Sequence, residues 1–580
     1  MNTRKNEKNA LLERWSGLYR AALNASSENF ASLKTAMEQY LGSDEIDGSA
    51  VRAKSVRNIT YEIIESQISA DIPLPKVDPV SVTERHERNA RTIERLCRSA
   101  RNSLPFEELN DLDERYTYVY GGSVFYVEWD SCISVGQSKG SVRAYCLPPL
   151  SFIPQPGISR IEDMEYCFLR FTTTKGEIMR RYGIPESKLS LLECEYEFEG
   201  SEDSTDTVSL ITVFYRDERG EVCKLDFSGE VLLCHLPEYY KRKVNVCKKC
   251  GASDGSCDCH SESERRNLEY EKVELDEKTV TLPYYVPKSF PIVIRKNTIG
   301  EQSHLGGSDC LRIRPQQQAI NKIETRILEK LLRAGVTPVM PEGTSVTLSN
   351  AVFGQVIKTR PGEGPDSFGK IDTTPDISQD VREADRLYDM AKRVLGISDA
   401  LQGTDATQAE SGYARQLKIS RATSRLETKK RMKYLAYAKI YRLIFELHLA
   451  FSDEIRALSY KDGLGRIHTV DFDRRDFIEM GEDGYFYCDA YLFSVDLNSG
   501  DEYTREALWA RNLSNLESGT LGDRSSPLTL LRYWQFQERA HYPGARENVE
   551  FFSDLLQKSI KEKESEKNDE TEQKEPLPNL

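Results

Sequence analysis

A helical pattern runs through residues 413–458, and unbroken it would be about 65–70 Å long at 1.5 Å per residue. That is longer than an ordinary globular helix, so a kink or a structural strut is expected there. Its first half is basic. Arg415, Lys418, Arg421, Arg425, Lys429 and Lys433 step by three, three, four, four and four, which puts all six on one face. Such a stripe fits a solvated face, a face turned to acidic neighbours, a phosphate contact, or a pairing with another copy of the chain. The whole chain carries 79 Lys+Arg against 93 Asp+Glu, a net charge of −14. That balance weighs against a protein whose work is to grip nucleic acid by its phosphates.

Three segments lead up to the long helix. Ile320, Ile323, Ile327 and Leu331 step by three, four and four, one face of a helix ending at Gly335, with Pro315 confined to its first turn or kinking it. Residues 336–378 then hold five prolines and five glycines among short β-like runs. A second helix is expected over 380–395, where Asp389 and Arg393 have the spacing to pair. Between it and the long helix lies GISDALQGTDATQAESG, residues 396–412, with no cation and with Asp399, Asp405 and Glu410 as its acids. It is either a flexible connector or a polar, acidic lip that touches a polyanion without holding it.

The rest of the chain is mixed. Residues 1–70 read as helices through Leu11, Leu12, Trp15, Leu18, Tyr19, Ala22 and Leu23, and again through Val56, Ile59, Ile63, Ile64 and Ile68. Pro73, Pro75 and Pro79 break that pattern, and helix returns over 82–101. From Tyr116 to about Ile294 the text turns to β, with strands expected over 123–129, 142–147, 164–171, 208–216 and 221–227 and a short helix over 175–182. Strands over 469–477 and 485–495 and helices over 502–516, 526–540 and 545–560 follow. The last twenty residues have no apolar periodicity and read as a disordered tail. The fold class is α+β. At 580 residues the length suits about four domains or one elongated protomer. No apolar run reaches the ~18 residues a membrane span needs, and MNTRKNEKNALLERW has no apolar signal core. A soluble protein made in the cytoplasm, without membrane partners, is expected.

Nine of the thirteen cysteines are scattered singly, the pattern of reduced, buried thiols. The other four lie in VCKKCGASDGSCDCHSE: Cys247-x2-Cys250-Gly, then Cys257-x-Cys259-His260. The first pair lets two thiolates reach one tetrahedral zinc, with Gly251 closing the turn. Cys257 with Cys259, or Cys257 with His260 as the fourth ligand, would complete a structural Zn2+ site in a stapled hairpin insertion; free thiols are the other reading. No catalytic constellation is present. The seven histidines are dispersed, no phosphate-binding Gly-x-x-x-x-Gly-Lys-Ser/Thr loop occurs, and no Gly-x-Ser-x-Gly elbow occurs. His448, among Phe445, Leu447, Leu449 and Phe451, reads as a packed histidine. The chain is not expected to be an enzyme.

The order helix, Pro/Gly-rich excursion, helix, polar loop, very long helix resembles the portal (head–tail connector) proteins of tailed bacteriophages. The stretches that carry the resemblance are YGGSVFYVEWD (120–130), YCLPPLSFIPQPGISRIEDMEYCFLRFTTTKGEIMRRYGI (145–184), GGSDCLRIRPQQQAINKIETRILEKLLRAGVTPVMPEG (306–343) and GTDATQAESGYARQLK (403–418). It covers roughly residues 10–560 and rests on order and spacing rather than on one motif. The Cys-rich insertion at 240–265 departs from the family pattern.

The resemblance implies an elongated portal-like protomer. Residues 1–308 would be a wing, 309–335 and 379–395 the two stem helices, and 336–378 a small α/β clip carrying Lys358, Arg360 and Lys370. Residues 396–412 would be a tunnel loop offering Asp399, Gln402, Thr404, Asp405, Thr407, Gln408 and Glu410 to the channel. Residues 413–500 would be the long kinked helix and further wing strands, 501–560 a helical crown, and 561–580 the tail. It further implies a dodecameric ring at one capsid vertex of the virion, a DNA translocation channel for genome packaging and ejection. The implied partners are copies of itself, double-stranded DNA, the terminase large subunit, the major capsid and scaffolding proteins, and a head-completion or tail adaptor protein. A zinc-containing nucleic-acid-binding scaffold or adaptor is the alternative.

Overall fold

The computed structural model describes residues 2–43, 55–81, 83–135, 138–196, 206–240, 244–246, 271–273, 287–298, 303–333, 336–339, 369–372, 375–397, 412–452, 455–461, 467–480, 486–488, 490–495, 505–539, 542, 545, 548–549, 551–553 and 555–556. These form a mixed helix and strand structure, α+β in class. No helix among them is long and apolar enough to cross a membrane.

The chain opens with α1 (Asn2–Ala25), α2 (Ser27–Leu41) and α3 (Ile59–Glu65), then strand β1 (Pro75–Pro79), α4 (Glu84–Ser103) and α5 (Phe106–Tyr120). The apolar spacing over 56–68 yields only the seven residues of α3, and Val56 is exposed. The proline-broken stretch is not merely a break. Pro75 and Pro79 end a strand paired with a single neighbour, where a missing N–H is tolerated. Tyr116, expected to open the β region, lies instead in the last turn but one of α5, its ring 5.7 Å from that of Tyr120. Gly121, at φ 88°, closes that helix in the left-handed conformation that favours glycine.

The β region follows as β2 (Gly122–Val135), β3 (Ser138–Leu147), β4 (Phe152–Pro154), β5 (Tyr166–Thr174), helix α6 (Lys175–Tyr182), β6 (Cys194–Tyr196), β7 (Thr207–Arg216), β8 (Val222–Ser228), β9 (Val231–Leu236), β10 (Val244–Val246), β11 (Glu271–Val273) and β12 (Ile292–Lys296). A six-stranded antiparallel sheet runs β4-β5-β7-β8-β9, with β6 also on β7. Helix α1 covers one face of it, burying Trp15, Tyr19 and Ala22 against Ile153, Phe168, Ile211, Val213 and Phe227. A second sheet runs β12-β2-β3.

Next come α7 (Asp309–Arg333), β13 (Val336–Val339), β14 (Gly369–Asp372), α8 (Ser378–Leu395) and the 40-residue α9 (Gly412–Phe451). At 1.5 Å per residue α9 is about 60 Å long. It stops seven residues short of the expected end, because β15 (Arg456–Lys461) takes over with Arg456 and Leu458 buried and Ala457 and Ser459 exposed, the alternation of a strand. Pro315 sits in the second turn of α7 rather than the first. The chain continues with β16 (Ile467–Phe472), β17 (Ile478–Met480), β18 (Phe486–Cys488), β19 (Tyr491–Val495), α10 (Arg505–Glu517) and α11 (Pro527–Arg539). The strand expected over 469–477 ends at Phe472 and passes into a 3-10 turn, Arg474–Asp476. Of the third helix expected there, the residues described between 545 and 556 are helical.

The principal core wraps the second half of α9. Tyr437, Ile440, Tyr441, Ile444, Leu447 and Ala450 are all but inaccessible and pack with Phe125, Val127, Ile93, Leu96 and Phe472. A helix buried on most of its circumference reads as a central axis. His448 is part of this core, its ring 5.3 Å from that of Trp129 and 5.7 Å from that of Phe472. Burial, with Arg456 nearby, holds its imidazole down at about 3, so it stays neutral at physiological pH.

Candidate functional site: a helix pair anchored by buried charges

Helices α7 and α8 lie antiparallel. Ile313 and Ile320 meet Ala391, Leu395 and Ile397, with Ile59 and Ile63 of α3 closing the cluster. Toward the other end Asp380 accepts from Arg326 and, at 2.5 Å, from Lys330. The Lys330 hydrogen bond and the Arg326 charge hold its carboxyl below the usual carboxylate range, against the opposing pull of burial. A polar clamp ties α3 to α7: Gln317 Oε1 accepts from Thr60 N and Oγ1 at 3.0 Å, while its Nε2 donates to Arg57 O and Asn321 Oδ1 at 2.8 Å. Within α8 the partner of Asp389 is Lys392, at 3.6 Å.

Beyond the tips of the pair, β13 and β14 run antiparallel, Val336 opposite Asp372 and Val339 opposite Gly369. The chain therefore leaves α7 and returns to α8 side by side. The pair also shows solvent an unusual amount of apolar surface: Leu331, Leu332, Val381, Met390 and Val394 are 42–65% exposed, where an isolated helix pair would place polar side chains.

The opposite end of α7 enters a buried charge junction. Ser308 caps the helix, its Oγ accepting from Leu311 N at 3.2 Å and donating to Val119 O at 2.5 Å. Asp309, fully buried, accepts from Asn297 Nδ2 at 3.0 Å and from Lys429 of α9. One turn along α9, Lys433 reaches Glu114 of α5 at 3.1 Å and Asp71 O at 2.6 Å. Arg295 of β12 spans Asp113 and Glu114 at 2.5 and 2.8 Å. Three carboxylates thus meet three cations, all of them buried. Burial would raise Glu114, yet Arg295 and Lys433 hold its carboxyl below its ordinary value. Burial wins at Asp113, whose carboxyl is raised despite Arg295.

Two glycine pairs allow this approach. Gly306 N donates to Gly121 O at 2.9 Å, as does Asn297 N; a Cβ on Gly121 would run into the backbone of Gly306 and Gly307, and one on Gly306 into that of Thr298 and Asn297. The stretches beginning YGGSVF and GGSDCL are therefore in contact in the fold, on either side of the junction.

Lys429 and Lys433 are the two stripe residues whose side chains are described, and both are turned to acidic neighbours rather than to solvent. Arg415, Lys418, Arg421 and Arg425 lie on α9 with side chains outside the described residues. Asp399, Gln402, Thr404, Asp405, Thr407, Gln408 and Glu410 also lie outside, between Gly396, the left-handed cap of α8, and Gly412, where α9 begins. Lys358 and Arg360 lie outside, and Lys370 is on β14. Cys247, Cys250, Cys257, Cys259 and His260 lie outside as well; the strands flanking them, β10 and β11, are paired, Val244 opposite Val273. Among the described residues no three His, Cys, Asp or Glu side chains gather as metal ligands. Cys97, Cys146, Cys167, Cys223 and Cys310 are buried and unbridged.

Sequence reasoning missed Asp113, Glu114, Arg295 and Asp309. A signal existed for Asp113: it occupies the slot four residues after buried Leu109, where helical spacing asks for an apolar side chain, and a carboxylate there needs a buried cation. No protein-family model matches the chain, and no curated protein matches it.

Proposed function

We propose that this chain is the protomer of a phage portal: a ring, of twelve copies by the family resemblance, at one capsid vertex of the virion. On this reading it is the conduit for double-stranded DNA in packaging and ejection and the platform for terminase and for head–tail connector proteins. It carries no catalytic activity of its own. The observation that supports the reading best is the antiparallel pair Asp309–Arg333 and Ser378–Leu395, bridged by an excursion that departs and returns through one two-stranded ladder and followed by a 40-residue helix. That is the geometry a stem, clip and long helix require. The apolar side chains exposed along the pair supply surface for neighbouring copies, which a ring of stems would bury.

The charge balance fits a conduit. A channel that bound DNA tightly would have to break each phosphate contact at every step, and twelve chains at −14 apiece make an acidic ring that lets a polyanion slide. The cation-free stretch 396–412 serves the narrowest point. Structural zinc in the Cys247–His260 segment would brace an insertion too short to build its own core.

Purified full-length protein imaged in negative stain, with the particle mass measured in parallel, tests this. Rings with a central hole and a mass of about a dozen protomers are expected. A particle that stays monomeric at high concentration overturns the proposal.

A further inference from the structure

A cavity of about 310 Å³ opens where α2, the end of α5 and the start of α7 meet. Asn29 and Ser32, three residues apart on α2, share a helix face and line it together with Tyr120, the last residue of α5. Arg312 of α7 completes the polar lining, and Leu33 and Leu305, both buried, add apolar surface. Among the described residues no acidic side chain lines the space.

Three of these polar groups find nothing to bond within the fold. Tyr120 is 5% exposed, and its hydroxyl has no hydrogen-bond partner among the described residues, yet it is not sealed in; it therefore opens on the cavity. Burial pushes the phenol up to about 12, so at physiological pH it is a donor. The Asn29 amide and the Ser32 hydroxyl also make no hydrogen bond among the described residues. Arg312 is 44% exposed. Its Nη2 donates to a neutral acceptor, Thr298 Oγ1, at 2.9 Å, while Asp309 stands 3.8 Å from Nη1, beyond hydrogen-bond reach. The Asp309 carboxylate is already engaged by Asn297 and Lys429. The three carboxylates of the junction are matched by Arg295, Lys429 and Lys433, so Arg312 brings a positive charge that they do not balance.

We propose that this cavity binds the oxyanion group, phosphate or carboxylate, of a small organic molecule, with Arg312 supplying the charge and Tyr120, Asn29 and Ser32 the hydrogen bonds. The guanidinium fork suits two oxygens of either group, and the open hydroxyl of Tyr120 is a donor already held in place by its buried ring. The size excludes a bare ion as the whole ligand: at about 30 Å³ per water molecule the space holds about ten, within the range of small-molecule sites. Leu33 and Leu305 give the organic part of the ligand an apolar contact. A cation is excluded as the ligand by the lining, which offers Arg312 and no acid. The site lies within one protomer, so the proposal does not depend on the ring.

The test is the melting temperature of the full chain titrated with inorganic phosphate and, separately, with succinate, at an ionic strength held constant with sodium chloride. A ligand that binds only the folded state raises that temperature along a saturation curve, which yields an apparent Kd. A saturable rise is expected with at least one of the two, and the tighter one identifies the oxyanion as phosphate or carboxylate. Tyr120→Phe removes a hydroxyl that bonds nothing in the fold, so without ligand it should melt close to wild type, yet its apparent Kd should be weaker by about tenfold, the loss of one hydrogen bond to a charged group. Arg312→Gln, with native circular dichroism, should abolish the rise. The absence of a saturable rise with both probes overturns the proposal, and so does an undiminished response in either variant.

Discussion

Lys433 illustrates how much a single side chain holds at the charge junction. It is 3% exposed, and its ammonium serves Glu114 and the Asp71 carbonyl. Removing one member of a buried pair strands the other, which costs about 3–5 kcal/mol. Lys433→Met is therefore expected to lower stability by that amount in chemical denaturation, and Lys433→Met with Glu114→Gln by less than the sum of the two single changes. Additive losses would mean that the two do not interact. The sequence shows Lys429 and Lys433 on one helix face but not what that face meets, since Asp309 is 120 residues from Lys429 and Glu114 lies in a helix that the spacing did not reveal. Tyr116 misled for a related reason. Aromatic and β-branched residues favour strands only where a sheet receives them, and here α5 runs to Tyr120.

At the scale of elements, α7 and α8 were legible as helices because their apolar residues repeat at three and four and because Gly396 stops α8. Their antiparallel pairing was expected only through the family resemblance. Asp380 is the polar lock near the tip, bonded to Lys330 and Arg326 with its carboxyl held low. A depressed carboxylate contributes stability above its unfolded value of about 3.9, and that contribution disappears as pH falls through the lower folded value. The melting temperature of wild type should thus exceed that of Asp380→Asn at pH 7, and the gap should narrow as pH drops below about 4. A gap that does not vary with pH would show that the lock is not ionic. The end of α9 was misread because an apolar run that could continue the helix passes into the alternating RALSYK of β15; period two over six residues was the available signal.

For the whole molecule, the exposed apolar residues of α7 and α8 offer a direct handle on the proposed assembly. Leu332 and Val394 are 65% and 48% exposed, so Leu332→Glu with Val394→Glu should leave circular dichroism and melting nearly unchanged. In a ring of stems the two glutamates would face a neighbouring copy without partners, and burying them unpaired is costly. Mass photometry is expected to find wild type as large particles and the double variant as protomers; unaltered particles would move the subunit contact elsewhere.

The ladder of β13 and β14 has a consequence for how such a chain can change over time. Because Val339 and Gly369 face each other across one pair of strands, whatever lies between them is a cartridge with adjacent terminals. It can be lengthened, shortened or exchanged for an unrelated segment without shifting a helix, so under the proposed function binding preferences at that end would be free to diversify while the scaffold beneath stays put.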